Sequence, residues 1–143
     1  MAFPLAATVR WERTLHFEGT SSSSLPVAID HAPPLGEGQG HSPMELQLMS
    51  LAGCSGQTVM SLLVKMQQKV RAFSIRATGE RREDHPRVFT SIRIEFRVAG
   101  EALEPEKIEK AVRLTEEKYC PVWAMLKPGV AISSAVVIEQ EAI

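Results

Sequence analysis

Several features that would mark a membrane, secreted or nucleic-acid-binding protein are missing from this sequence. No apolar run approaches the ~20 residues that cross a bilayer. A net charge of -1 supplies no basic face for a phosphate backbone. Met1-Ala2-Phe3-Pro4-Leu5 has neither the basic flank nor the long apolar stretch of a signal peptide, so the cytosol is the expected compartment. There are only two cysteines, Cys54 and Cys120, and thiols in that compartment are usually kept reduced. They form no Cys-x-x-Cys motif and no zinc-type spacing. His16, His31, His41 and His85 are scattered, which fits surface or turn positions rather than a ligand set. With no internal repeat and no linker, the 143 residues are expected to form one domain, residues 1–143. The balance of 44% apolar and 23% charged residues is that of an ordinary globular chain.

What is present has a clear order. Val9, Trp11, Leu15 and Phe17 alternate with polar residues, which predicts a strand over residues 6–18. Arg13 falls on its apolar face and breaks the pattern. Ser21 to Ser24 predict a turn, and Leu25 to Asp30 a short second strand. The Pro- and Gly-rich residues 31–41 form a loop. Ser42-Pro43-Met44-Glu45 then reads as a helix start, with Ser42 as cap, Pro43 in the first turn and Glu45 closing a capping box. This helix is expected to reach about Lys69. Before residue 65 it has almost no polar face, which predicts burial on all sides, with a second subunit covering what one small chain leaves open. Gly53, costly by ~1 kcal/mol inside a helix, is expected to mark a close approach or a kink beside Cys54.

Ala72–Arg82 and Arg87–Ala99 predict a hairpin turning at residues 83–86, with Val88, Ile92, Ile94, Phe96 and Val98 on one face. Pro105 opens a second helix with a stripe of Ile108, Ala111, Val112 and Thr115. It should stop near Tyr119, because Pro121 pushes Cys120 out of the helical region. A short turn through residues 121–126 and a last strand, Val130 to Glu139, complete an α+β order.

The cysteines therefore sit in different settings. Cys120 lies where a new helical turn begins, and unpaired N–H groups there favour a thiolate. Cys54 lies inside an apolar helix and needs a cation or a hydrogen-bond donor to become reactive. Arg13 is the candidate donor, its alternatives being a peripheral position or an ion pair with a carboxylate such as Glu45. Glu45 is a candidate partner of the site, its alternative being the helix cap. Trp123 and Met125 are candidates to wall the site or to pack in the core.

The stretches Ser42-Pro43-Met44-Glu45-Leu46 and Leu51-Ala52-Gly53-Cys54-Ser55 resemble the motif around the first cysteine of the OsmC/Ohr family. His85-Pro86-Arg87-Val88-Phe89-Thr90 resembles its middle hairpin, and Glu117-Lys118-Tyr119-Cys120-Pro121-Val122 the segment around its second cysteine. Val9-Arg10-Trp11 also fits. The likeness runs from about residue 6 to 138. It implies an OsmC-like α+β fold, with antiparallel strands around a long buried central helix, in an intertwined homodimer with sites at the interface. Characterised members reduce organic hydroperoxides. Carried over, Cys54 would attack the peroxide and become a sulfenic acid. Cys120 would resolve it as a Cys54–Cys120 disulfide, and an external dithiol would reduce that by exchange. No metal or organic cofactor is implied. The peroxidases also place an Arg and a Glu at the first cysteine. Their Glu stands ten positions before it; here that place is Met44, with Glu45 nine before. Arg13 and Arg10 lie in the region of the Arg.

Three functions follow as expectations. A thiol peroxidase with Met49, Leu51 and Met60 around Cys54 would prefer fatty or aromatic peroxides. A binding module would hold a hydrophobic ligand in the same cavity with inert thiols. A thiol-disulfide sensor would trap a partner protein as a mixed disulfide.

Overall fold

The first apolar alternation folds back on itself. In the computed structural model, which describes residues 4–141, the stretch predicted as one strand is a hairpin of β1 (Ala7–Arg13) and β2 (His16–Ser21). Thr14 makes the turn at φ 44°, and the register slips between Trp11 and Arg13. Arg13 thus breaks the alternation because the strand ends there. β3 (Val27–Ile29) pairs antiparallel with β2 and is shorter than its apolar run predicts. These elements belong to a compact unit, Met1–Gln47, and Leu48–Ile143 forms a second.

Helix α1 (Pro43–Lys65) begins where its capping signals place it. Ser42 N donates to Glu45 Oε1 at 2.9 Å, and Glu45 N donates to Ser42 Oγ at 3.1 Å. The helix ends at Lys65 rather than Lys69, because Gln67 turns to φ 58° and Gln68 N bonds back to Leu63 O. Within the second unit its buried positions, Leu51, Ser55, Val59 and Leu63 with Gly56, form one stripe at helical spacing. Burial on all sides is not found in the single chain: Val64 is 62% exposed and Met49 47%. One chain offers this helix one surface to pack on. Gly53 is not a point of close approach, since a Cβ there would meet nothing within 4 Å. Gly56 is, with Ile75 Cδ1 2.5 Å from where its Cβ would stand.

β4 (Lys69–Arg81) and β5 (Phe89–Glu101) form the expected hairpin. Ile92, Ile94, Phe96 and Val98 of β5 are buried, and Phe96 stacks on Phe73 with ring centroids 6.3 Å apart. Val88, predicted to join them, precedes the strand and is exposed. The sheet order is β4-β5-β6, with β6 (Ala131–Gln140) parallel to β5, so this sheet is mixed and not antiparallel throughout. Parallel neighbours need a crossover of a dozen residues or more. Here it contains α2 (Pro105–Leu114), a π-helical turn (Thr115–Tyr119) and α3 (Pro121–Leu126). Ile108, Ala111, Val112 and Thr115 are all buried, as their spacing predicts. The architecture is α+β. Among the described residues, no helix is long and apolar enough to cross a membrane.

Candidate active site

Cys120 owes its position to three backbone events in the crossover. The π-helical turn closes with Cys120 N donating to Thr115 O at 3.0 Å, one residue further back than in an α-helix. Pro121 then keeps Cys120 out of the helical region, at φ -83° and ψ 108°. As cap of α3, its sulfur accepts from Trp123 N at 3.4 Å, as a Ser or Asp oxygen would at such a position. This aims the side chain at α1. Cys54, on that helix, has its sulfur 3.1 Å from Cys120 Sγ, although the residues are 66 positions apart. Both are free thiols, Cys120 buried and Cys54 half-buried. Burial pushes the Cys54 thiol up, the adjacent Cys120 pushes the same way, and the backbone N–H of Val122 offsets part of this. Ser55 Oγ lies 3.6 Å from Cys120 Sγ. Further along α1 from Cys54, a pocket of about 330 Å³ is lined by Gln57, Thr58, Ser61, Leu62, Lys65 and Tyr119, with neither cysteine in its wall. Met49, Leu51 and Met60, expected around Cys54, do not line that pocket either.

The other two predicted site residues have partners of their own. Arg13 Nε donates to Glu37 Oε1 at 2.9 Å, and its Nη2 donates to Gln39 Oε1. The ion pair predicted as its alternative therefore exists, with Glu37 in place of Glu45. The Glu45 carboxylate accepts from Ser42 N in the capping box, and that bond holds its pKa below the usual range, helped by the Ser42 hydroxyl. Trp123 is buried in the core, whereas Met125 is 72% exposed.

Sequence reasoning missed one residue at the cysteine pair, Ser55, and misjudged the burial of His16 elsewhere. Ser55 follows Cys54 but carries no signal that it faces Cys120. The unpaired N–H groups expected where Pro121 opens a helix include that of Trp123, which donates to Cys120 Sγ, and that of Val122, which serves Cys54. His16, taken for a surface residue, is buried with Nδ1 3.2 Å from Asp30 Oδ2. The turn at Thr14 restarts the alternation and moves His16 off the polar face. Asp30 also accepts from His31, Glu37 and Gln39 N–H groups. Among the described residues, no group of three or more His, Cys, Asp or Glu is placed to hold a metal ion.

A family model described as OsmC-like protein matches residues 36–135. Protein YhfA of Escherichia coli (strain K12) is 40% identical over 129 residues, covering 90% of this chain and 94% of that one. The crystal structure of a hypothetical protein from Aquifex aeolicus VF5 matches with a TM-score of 0.88 at 30% identity, over 99% of this chain and 100% of the other. The organic hydroperoxide resistance protein OhrB of Bacillus subtilis shares the fold at a TM-score of 0.63 and 19% identity, over 94% of this chain and 98% of its own. The matched span holds α1, the β4–β5 hairpin and both cysteines, and the relatives are alike along nearly their whole length: this chain belongs to the OsmC-like family.

Proposed function

We propose that the chain is a thiol peroxidase that reduces organic hydroperoxides through Cys54 and Cys120. The observation that carries this reading is the 3.1 Å between the two sulfurs. A disulfide bond is about 2.0 Å long, so the pair joins after a movement of about 1 Å. Accessibility in the single chain supports an order. Cys54 is half-buried and reachable from outside, whereas Cys120 is buried and can attack only what forms beside it. The Cys54 thiolate attacks the peroxide O–O bond, taking OH and releasing an alkoxide that is protonated to the alcohol. Cys120 then displaces water from the sulfenic acid, and the disulfide is returned to two thiols by an external dithiol. The pocket lined by Gln57 and Thr58, one helical turn from Cys54, and by Tyr119, the residue before Cys120, offers room for a small organic group. The name of OhrB, an organic hydroperoxide resistance protein of the same fold, points the same way. The exposed Val64 and Met49 of α1 fit cover by a second copy, and the working unit is a homodimer.

Single-turnover reaction of the reduced protein with cumene hydroperoxide tests this. The expected result is rapid loss of both free thiols with an intact mass lower by two hydrogens. A second reading, a binding module with idle thiols, draws on the raised Cys54 pKa together with the pocket. It takes the lead if the thiols react no faster than free cysteine.

A further inference from the structure

Ser55 stands beside this chemistry without a part in it so far. Its side chain is fully buried on α1, and its Oγ lies 3.6 Å from Cys120 Sγ. A helical Ser or Thr commonly returns its hydroxyl to the carbonyl four residues back. Thr58 does so to Cys54 O at 3.0 Å, and Thr115 to Ala111 O at 2.8 Å. Ser55 addresses a sulfur instead. A neutral thiol is a weak partner for a buried hydroxyl. A thiolate is a strong one, because an O–H···S⁻ bond is charge-assisted and the burial of both residues keeps water from competing. The contact therefore matters most when Cys120 loses its proton.

We infer that Ser55 is the positioning residue of the resolving step, orienting Cys120 Sγ toward Cys54 and stabilising the thiolate that attacks. This rests on the peroxidase reading and concerns only its second step. There a Cys120 sulfur electron pair forms the S–S bond, the Cys54 S–O bond breaks, and the departing hydroxide combines with the proton lost from Cys120 to give water. The oxidising equivalent is the peroxide already consumed. Trp123 N–H is a second donor to the same sulfur, so removing the hydroxyl weakens the step without abolishing it.

The test uses the full chain with Ser55→Ala, which keeps a good helix former at the position. Dimedone trapping follows the Cys54 sulfenic acid, and intact mass follows the disulfide, both from neutral to alkaline pH. The sulfenic acid is expected to form as in the unaltered chain. The disulfide should form about tenfold more slowly, the scale of one lost hydrogen bond to a charge, with its pH profile displaced to higher pH. More Cys54 should reach the sulfinic acid under excess peroxide. Ser55→Thr, which keeps the hydroxyl, should bring the profile back. A second measurement is independent of turnover: in a Cys54→Ala background, the ultraviolet thiolate absorbance of Cys120 should appear at higher pH once Ser55 is also Ala. An unchanged disulfide rate and pH profile in Ser55→Ala would overturn the assignment. Absence of any sulfenic acid in Cys120→Ser would instead overturn the peroxidase reading itself.

Discussion

At Cys54, burial and then Cys120 raise the thiol above its ordinary pKa of 9.0. Below its pKa, a thiol's reactive fraction rises about tenfold per pH unit. Single-turnover rates with cumene hydroperoxide are thus expected to climb through neutral pH and past pH 9 without a plateau. Cys120→Ala removes the neighbour, so alkylation of Cys54 by iodoacetamide should then titrate at lower pH. Asp30 behaves oppositely. Burial alone would raise its carboxyl, but hydrogen bonds from His31, Gln39, His16 and Glu37 outweigh it and bring the pKa from 3.8 to about 2. The folded state holds this proton less tightly than the unfolded chain does. The stabilisation is therefore complete above pH 3.8 and is lost as pH falls toward about 2. Melting temperatures of the unaltered chain and Asp30→Asn should differ by a constant amount above that window and converge below it. How legible such residues were depends on the range of the force that places them. The capping position of Cys120 was readable because Pro121 acts on its immediate neighbour. Ser55 facing a sulfur across the fold, and His16 meeting Asp30, depend on turns and packing that no local pattern encodes.

Among the elements, α1 was legible at its start and less so at its end and in its burial. Ser42 and Glu45 satisfy the first amides within four residues, a purely local device. Its end depends on Gln67 entering a left-handed conformation, for which neither Gly nor Asn gave warning. Because the Glu45 carboxylate is engaged at the cap, Glu45→Ala is expected to lower stability slightly through loss of the capping box and to leave the initial peroxide rate unchanged. Urea unfolding and single-turnover kinetics check the two halves, and a large loss of rate in a stably folded variant would give Glu45 a part in the chemistry. The β4–β5 hairpin was readable from alternation. The parallel pairing of β6 was not, because strand direction is decided by the crossover and leaves no mark on the strand's own residues.

For the whole molecule, the apolar residues that α1 leaves exposed bear on assembly. If a second copy covers them, Val64→Asp should weaken the dimer by about 2 kcal/mol, roughly thirtyfold in Kd. Sedimentation equilibrium would show the monomer appearing at concentrations where the unaltered chain is paired, with circular dichroism unchanged. The likeness of the chain to its family was legible almost end to end, because motifs at both cysteines survive in the sequence. The direction of β6 and the division into two compact units came only with coordinates. The crossover that presents Cys120 to α1 also has a mechanical consequence. Joining positions 54 and 120, 66 apart in the chain, would close a ring containing all of α1 after Cys54, the whole hairpin and α2. A ring of that size restricts the unfolded chain enough to stabilise the fold by about 4 kcal/mol. The oxidised protein should accordingly melt at a higher temperature than the reduced one in paired calorimetric scans. By the same thermodynamic cycle, the native fold makes that bond harder to reduce than it would be in the unfolded chain. Each turnover would then tighten the molecule on oxidation and slacken it on reduction, so that its melting temperature reports the fraction of chains oxidised at that moment.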